Sequence, residues 1–264
     1  MNLELKGKKA FISGSTSGIG FATAKRMLLE DAIVIINGRS TPTINKAIDQ
    51  LKKETGKEDI SGIAADFSKV SEVDALLQQL PEVDILINNA GIFEPKPFDK
   101  IPDEDWYNLF EVNVMSGVRL SRHYFPKMLK KNWGRIIFIS SESGLQIPAE
   151  MIHYGVTKAA QIALARGIAE TVAGTGITVN TVLPGPTRSR GVGDFVAAMS
   201  QQAGMTAAEF EADFFARARP TSLIKRFARP EEVASLVVYV ASPLSSATTG
   251  AALRVDGGVV KSAV

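Results

Sequence analysis

The sequence has no cysteine and only two histidines among its 264 residues. The absence of thiols excludes disulfides, cysteine nucleophiles and cysteine-ligated metal sites, and it fits a reducing compartment. Two histidines are too few for a histidine-rich metal centre. We therefore predict no metal site, and we expect acid/base chemistry to depend on side chains other than histidine and cysteine.

A long apolar run and an excess of charge of one sign are also missing. No stretch approaches the ~20 apolar residues that span a bilayer, and residues 1–9 carry lysines in place of the apolar core of a signal peptide. The net charge of +2 comes from 30 basic and 28 acidic residues that are interspersed along the chain, so no basic patch indicates nucleic acid. We expect a cytoplasmic protein with neither a membrane nor a nucleic acid as its partner.

Short apolar runs alternate with helical stretches along the whole chain. Seven such runs are Lys9–Ser13, Ile33–Asn37, Ile60–Ala65, Val83–Asn88, Arg135–Ser140, Ile177–Leu183 and Ala251–Val255. Nearly continuous apolar character is typical of parallel strands that are covered on both faces, and the alternation implies right-handed crossovers. The sequence therefore predicts an α/β fold with a doubly wound, seven-stranded parallel sheet in a single domain, residues 1–264.

Prolines mark the starts of three predicted helices, because proline is favoured in the first helical turn. One helix begins at Pro42 and ends at Gly56, a second runs from Pro102 towards Lys131, and a third begins at Pro230.

The segment 184–220 interrupts this rhythm with glycines, arginines and two short amphipathic stretches. Phe195 lies on the first stretch, and Phe210 and Phe214 lie on the second. Because a long insertion in a compact domain is usually functional, we predict a mobile lid over an apolar substrate. The alternative is that these rings only pack on the core or on a neighbouring subunit.

A glycine-rich loop follows the first predicted strand and opens the next helix. It consists of Gly14, Ser15, Thr16, Ser17, Gly18, Ile19 and Gly20. Glycines allow a tight turn and a close approach to a pyrophosphate, and the helix N-terminus supplies free N–H groups. The loop therefore predicts a dinucleotide site, although its spacing differs from Gly-x-Gly-x-x-Gly.

The end of the second predicted strand indicates which dinucleotide is bound. A carboxylate there binds the ribose 2′-hydroxyl of NAD(H), whereas an arginine accommodates the 2′-phosphate of NADP(H). Here the strand ends without an acid, and Arg39 and Ser40 follow it. We therefore predict NADP(H) rather than NAD(H), against the alternative that Arg39 is an ordinary solvated turn residue.

Tyr154 and Lys158 are four residues apart at the start of a helical stretch that runs to about Ala173. Their β-carbons are expected about 6 Å apart on one helix face. A cation at that distance favours the phenolate, so the pair predicts a tyrosine acid/base whose pKa is lowered by the lysine. On spacing alone, a packing or cation-π contact explains the pair equally well.

Taken together and in order, these motifs resemble the short-chain dehydrogenase/reductase family of the single-domain Rossmann type. The resemblance runs from Leu5 to Gly258. It rests on residues 14–20, Asn88-Asn89-Ala90-Gly91, Asn113, Ile139-Ser140-Ser141, Tyr154-x-x-x-Lys158, Pro184-Gly185 and Val255-Asp256-Gly257-Gly258.

The resemblance implies four catalytic residues. Ser141 would hydrogen-bond the substrate oxygen, and Tyr154 would transfer the proton. Lys158 would hold the nicotinamide ribose, and Asn113 would anchor a water on a proton path to the lysine. His153 adjoins Tyr154 and is interpreted as a flanking residue, because successive helix positions point in different directions. Glu142 receives no role.

The same resemblance implies further cofactor contacts beyond the glycine loop. Asp66 would accept from the adenine amino group, Asn89 and Ala90 would flank the adenosine ribose, and Thr187 would meet the carboxamide, with Ser189 as a competing choice. The remaining implied contacts are Phe67, Gly91, Pro184 and Gly185. Outside this context, Ser141, Asn113 and Asp66 would be ordinary turn or helix residues.

The implied activity is hydride transfer between NADP(H) and a carbonyl or alcohol substrate. One alternative is a catalytically inactive nucleotide-binding regulatory protein on the same fold. Another is a lyase or epimerase with tightly held NAD, although 264 residues leave little room for the larger substrate domain of such enzymes. The family also implies a homotetramer or homodimer assembled through residues 108–131 and 152–173.

Overall fold

The computed structural model describes residues 2–263, with residues 190, 191, 194, 195 and 198 described by their backbone alone. Its centre is one parallel sheet with the strand order β3-β2-β1-β4-β5-β6-β7. The strands are β1 (Lys9–Ile12), β2 (Ile33–Gly38), β3 (Ile60–Ala64), β4 (Ile85–Asn88), β5 (Gly134–Ile139), β6 (Ile177–Pro184) and β7 (Ala252–Val255). The predicted fold class is confirmed, and every predicted strand is present with its ends within two residues of the prediction.

The helices follow the predicted alternation with the strands. They are α1 (Gly18–Leu29), α2 (Thr41–Thr55), α3 (Val70–Gln79), α4 (Asp103–Phe110), α5 (Ser116–Lys131), α6 (Ile152–Thr171), α7 (Arg190–Ala203), α8 (Ala207–Arg217) and α9 (Pro230–Ala241). Gly56 ends α2 in the left-handed conformation at φ 66°, as its place in the sequence predicts. None of the helices that the structure describes is long and apolar enough to cross a membrane.

The predicted long helix towards Lys131 is interrupted. A π-helical stretch, Glu111–Met115, joins α4 to α5. Such stretches widen one turn and often occur at functional sites. This one contains Asn113.

Two apolar layers cover the sheet because successive strand residues point to opposite faces. On β5, Ile137 and Ile139 join the layer formed with α1, α2 and α9. Ile136 and Phe138 join the layer formed with α3, α5 and α6. Both faces are therefore buried, which explains the nearly continuous apolar runs.

The strand order reverses direction at β1, whose neighbours are β2 and β4. Loops from the carboxyl ends of β1 and β4 therefore diverge, and this crevice is where ligands bind in open α/β sheets. The segment after β6 supplies α7 and α8, which lie above the same edge, and Val196 of α7 and Phe215 of α8 form a small apolar cluster with Phe227. The side chain of Phe195, named with the predicted lid, lies outside the described part of the chain.

Candidate active site

A pocket of about 1020 Å³ opens at the carboxyl edge of the sheet. Most of the residues predicted for the site line it: Gly14, Thr16, Ser17, Gly18, Ile19, Arg39, Asp66, Phe67, Asn89, Ala90, Gly91, Ser141, Tyr154, Lys158, Pro184, Gly185 and Thr187. The tertiary structure thus brings one wall together from segments that are far apart in the chain.

The other predicted residues lie behind the pocket wall or beside it. Ser15 is buried, where it donates to Ile12 O at 2.6 Å. Ser40 is exposed at the start of α2 and shares a hydrogen bond with the Thr43 hydroxyl at 2.9 Å. At Gly20, an added Cβ would lie 2.6 Å from Asn89 Nδ2, so this glycine allows close packing of α1.

Two glycines of the loop have a left-handed backbone conformation, which other residues adopt only at a cost in conformational energy. Gly14 and Gly18 both have φ of +59°. A Cβ on Gly14 would lie 3.0 Å from the Ala90 Cα, which shows how closely the loops after β1 and β4 approach. Helix α1 begins at Gly18 without an acidic residue in its first turn and without a side-chain cap from Ser17. Its first N–H groups and partial positive charge are therefore available to an anion.

Two buried polar residues tie the loops together, and the sequence prediction did not include them among the site residues. Ser13 Oγ accepts from the backbone N–H groups of Asn89 and Ala90, both at 2.9 Å. Asn37 Oδ1 accepts from Gly14 N at 3.0 Å, and its amide donates to Ile63 O at 3.1 Å. The sequence signal for such loop-to-loop hydrogen bonds is a polar residue at the carboxyl end of an otherwise apolar strand.

Arg39 and Asp66 stand on the loops after β2 and β3. Arg39 is exposed, lines the pocket and forms no ion pair with the residues that the structure describes. Asp66 accepts from Ser68 N at 3.0 Å and from its hydroxyl at 2.8 Å. The backbone hydrogen bond from Ser68 lowers the pKa of Asp66 against the opposing effect of burial, so a carboxylate acceptor is present at neutral pH.

Asn113 is buried in the π-helical stretch and faces the loop after β4. Its side chain accepts from Ile92 N at 2.8 Å and donates to Thr157 Oγ1 at 3.0 Å. Its backbone carbonyl, which the widened turn leaves available, accepts from the Gln161 amide at 2.5 Å. The same Gln161 accepts from Lys158 Nζ at 3.2 Å. Lys158, Gln161 and Asn113 therefore form a continuous polar chain.

Gln161 was not predicted as a site residue. The available signal was its position one helical turn after Lys158, on the same face of α6. Lys158 is 4% exposed, and Nζ also donates to Ile139 O at 3.0 Å.

Tyr154 lies deep in the pocket, with Phe93 packed edge-on at 6.1 Å between ring centroids. Burial raises the pKa of Tyr154, and the charge of Glu142 raises it further, whereas a hydrogen bond with Ser141 and the charge of Arg219 oppose these effects. Burial also lowers the pKa of Lys158 to about 8.

The expected lowering of the tyrosine pKa by the lysine is therefore not what this cavity produces. Lys158 Nζ lies 5.5 Å from the centre of the Tyr154 ring. Both groups have lost water, and burial favours the neutral form of each.

Ser141 belongs to a buried cluster of charges that the sequence did not reveal. Its hydroxyl donates to the Glu142 carboxylate and accepts from Ser143 N at 3.1 Å. Arg219, two residues beyond the end of α8, reaches Glu142 with Nε at 3.2 Å and Glu150 with Nη1 at 2.9 Å. The side chains of Glu142 and Arg219 are 5% and 9% exposed.

The two candidates for the carboxamide contact lie close together after β6. Thr187 is buried and its hydroxyl donates to Gly185 O at 2.9 Å. Ser189 caps α7, accepting from Val192 N at 3.5 Å, and its Cβ would lie 3.1 Å from a Cβ on Gly18. The start of the 184–220 segment thus lies against the glycine loop. His153 is fully buried, packs edge-on against Trp106 and does not line the pocket.

Comparison with known proteins identifies the family. The short chain dehydrogenase family model matches residues 8–200. The chain is 48% identical over 262 residues to the uncharacterized oxidoreductase YvaG of Bacillus subtilis (strain 168), with 99% of both chains covered. It is 31% identical over 263 residues to D-beta-hydroxybutyrate dehydrogenase of Rhizobium meliloti (strain 1021), with 95% of this chain and 98% of that relative covered.

A solved structure gives the same answer for the fold. L-Sorbose reductase from Gluconobacter frateurii, complexed with NADPH and L-sorbose, matches with a TM-score of 0.91 at 31% identity, covering 99% of this chain and 100% of that one. Sheet order, pocket position and matches along nearly the whole chain lead to one assignment: the protein belongs to the short-chain dehydrogenase family of oxidoreductases.

Proposed function

We propose that this oxidoreductase transfers a hydride between NADP(H) and a small carbonyl or alcohol substrate, with Tyr154 as the acid/base. The observation that carries the proposal is the arrangement of Ser141, Tyr154 and Lys158 on one wall of a pocket whose far end is the glycine loop. A dinucleotide that extends along this pocket would bring its reactive end to the tyrosine.

The residues present fit a dinucleotide. Gly14 and Gly18 allow backbone to approach a pyrophosphate, and the uncapped start of α1 offers N–H groups to it. Asp66, a carboxylate at neutral pH, is suited to accept from the adenine amino group. The nicotinamide would supply the hydride or accept it, and this chain's residues would manage binding and the proton.

Arg39 supports the choice of NADP(H). Its guanidinium is exposed at the pocket and can form charge-assisted hydrogen bonds with a 2′-phosphate. Gly38, the preceding residue, leaves no carboxylate there, and its position is crowded: a Cβ would lie 2.6 Å from Thr16 Cγ2. The NADPH bound to the related L-sorbose reductase is consistent with this choice.

In carbonyl reduction, Tyr154 would donate its phenolic proton to the substrate oxygen. Its raised pKa keeps the phenol protonated at neutral pH, which suits a general acid. The Ser141 hydroxyl directs its hydrogen at Glu142, so its remaining lone pair would accept from the hydroxyl of Tyr154 or of an alcohol substrate and help to position it. Gln161, which bonds both Lys158 and the Asn113 carbonyl, would hold the lysine in position beside the tyrosine. The proton path to the lysine would run through a water anchored by Asn113, as the family resemblance implies.

The substrate end of the pocket is lined by aromatic rings, including Phe93, Phe210 and Phe214. These rings suit a substrate with an apolar part. We infer that the segment 184–220 acts as a lid over it, because α8 carries two of these rings. Hydrogen exchange tests the lid: NADPH should slow exchange in this segment, and high protection that is indifferent to NADPH would contradict it.

For the assembly we propose a homodimer or homotetramer through α4, α5 and α6, the segments that the family resemblance indicates. Sedimentation at several protein concentrations tests this assembly. A monomer throughout would contradict it.

A screen of NADPH consumption tests the activity against the runner-up function. The panel contains ketones, quinones and β-ketoacyl thioesters, and the expected result is turnover of at least one class. A regulatory protein on the same fold would bind NADPH and consume none. That alternative is disfavoured because Asn113, Ser141, Tyr154 and Lys158 are all retained.

A further inference from the structure

The residue after Ser141 is a glutamate that is buried at the reacting end of the pocket. A buried carboxylate costs free energy unless it is paired and hydrogen-bonded. Glu142 has both kinds of partner: the Ser141 hydroxyl donates to one carboxylate oxygen, and Arg219 Nε donates to the other at 3.2 Å. No other part of the proposed mechanism uses this carboxylate.

The hydrogen bonds of Ser141 define which way its hydroxyl points. Its single hydrogen is directed at Glu142, and its oxygen already accepts from Ser143 N at 3.1 Å. A hydroxyl has one donor and two lone pairs, so one lone pair remains for Tyr154 or for a substrate hydroxyl. Without Glu142 the hydroxyl would be free to rotate.

Arg219 connects this arrangement to the lid segment. It lies two residues after the end of α8, and it bridges Glu142 on the loop after β5 and Glu150 just before α6. Its guanidinium therefore joins three separate parts of the pocket. The planar guanidinium of an arginine, with its donors in fixed directions, suits such bridging better than the flexible ammonium of a lysine.

We propose that Glu142 is a positioning residue that orients the Ser141 hydroxyl, and that Arg219 holds the Glu142 carboxylate in place from the end of the lid segment. The inference rests on the proposed function, because Ser141 and Tyr154 must be the reacting pair for the orientation to affect turnover.

The charged groups around Glu142 and Tyr154 predict how the loss of one charge would change the neighbouring pKa values. Tyr154 faces Glu142 and Arg219 across the pocket, and Lys158 lies on its own helix. Glu142 faces Arg219 and Lys158, and among the described residues Glu150 reaches the cluster through Arg219 alone. The negative charge of Glu142 raises the pKa of both Tyr154 and Lys158. Removal of that charge should therefore lower both pKa values.

Two substitutions separate charge from position. Glu142→Gln removes the charge, so the high-pH limit of carbonyl reduction should move to lower pH, by about one unit for a charge this close. Glu142→Asp keeps the charge but withdraws it by one methylene from Ser141. We expect kcat to fall about tenfold, with little change in KM or in the pH profile.

Glu150→Gln is the matched control. It removes the other carboxylate that binds Arg219, but Glu150 makes no contact with Ser141 among the described residues. The high-pH limit of carbonyl reduction should be the same in this variant as in the wild type. The double variant Glu142→Gln with Arg219→Gln avoids an unpaired buried guanidinium, and it should still lower the pKa of Lys158 if the single variant does not fold.

A titration of Lys158 gives a readout that needs no turnover. The ε-carbons of ¹³C-labelled lysines are followed by NMR, and Lys158→Met identifies the signal. The pKa of Lys158, about 8 in the wild type, should fall in Glu142→Gln and stay in Glu150→Gln. An unchanged lysine pKa would overturn the proposal, as would full kcat in Glu142→Asp. A wild type that reduces no carbonyl, together with the expected lysine shift, would overturn the proposed function and leave the charge assignment of Glu142 supported.

Discussion

The two ends of the pocket are built on different physical principles. The glycine end, formed by the loops after β1 and β4, is held by neutral hydrogen bonds, such as those that Ser13 Oγ accepts from backbone N–H groups of the loop after β4. The charged end, formed by Ser141, Glu142, Tyr154, Lys158 and Arg219, places buried ionisable groups beside one another and beside the half-buried tyrosine. The first arrangement satisfies buried backbone groups, whereas the second keeps charges where they are costly.

This difference separates stability from reactivity. Bonds at the glycine end offset the desolvation of backbone that must come close to a ligand. At the charged end, burial lowers the pKa of Lys158 to about 8, so the fold gives up stability at neutral pH to hold a reactive ammonium. The raised pKa of Tyr154 costs stability only above its ordinary value near 10. Substitution of the buried Lys158 should therefore stabilise the fold and remove turnover, whereas substitution of Ser13 should destabilise the fold.

The largest effect should come from Tyr154→Phe. Loss of a proton-transferring hydroxyl removes 10² to 10⁴-fold in rate, or roughly 3 to 5 kcal/mol of barrier. The ring still fills its place, so NADPH affinity and the melting temperature should stay close to those of the wild type. Steady-state kinetics with a substrate found in the screen measures the rate. Tyr107→Phe, on an exposed ring, is the control. More than about a tenth of the wild-type rate in Tyr154→Phe would contradict the assignment.

Lys158→Met should abolish most turnover and yet stabilise the fold. A lysine whose pKa is 10.5 unfolded and about 8 folded binds fewer protons in the folded state. Its burial therefore destabilises the protein below pH 8, and the penalty disappears as the pH rises from about 8 to above 10.5.

The expected gain at pH 7 is up to about 3 kcal/mol, reduced by the lost hydrogen bonds to Ile139 O and Gln161. Urea unfolding at pH 7 and pH 10 measures it. Lys46→Met, on an exposed position of α2, should change the free energy of unfolding by less than about 0.5 kcal/mol. A gain that grows with pH would show that Lys158 is not buried as a charge.

Ser13→Ala tests the glycine end, where a substitution should destabilise the fold rather than stabilise it. The substitution leaves the N–H groups of Asn89 and Ala90 without their acceptor, which should cost about 2 kcal/mol of unfolding free energy. Ser13→Thr retains the hydroxyl and should restore most of it. Equal stability of the alanine and threonine variants would mean that these N–H groups find another acceptor.

The smallest effect is expected for Arg39→Ala. Loss of a charge-assisted contact to the 2′-phosphate should reduce the preference for NADPH over NADH about tenfold, or roughly 1.4 kcal/mol. Fluorescence titration with both cofactors measures the two dissociation constants. Arg26→Ala, exposed on α1 away from the pocket, controls for net charge. A wild type that binds NADH as tightly as NADPH would refute the cofactor proposal.

The glycine end could be predicted almost completely from local sequence. A left-handed glycine, a strand before it and a helix after it are properties of neighbouring residues, so Gly14 and Gly18 are recognisable before folding is known. The seven apolar runs predicted the strands for the same reason. Asn37 was missed because its side chain lies in a buried strand, and its partner, the backbone of the loop after β1, comes next to it only in the folded structure.

The fold class, the family and the order of the motifs could be read from the sequence, because periodicity, turn chemistry and spacing act over short distances. The electrostatics of the charged end could not, because they depend on how distant segments pack together. Arg219 is 77 residues from Glu142 along the chain, yet their ion pair sets the surroundings of Ser141. Burial is likewise a property of the whole fold, and it reversed the expected direction of the Tyr154 pKa shift. A pKa depends on every charge and every lost water around a group, and no short stretch of sequence contains that information.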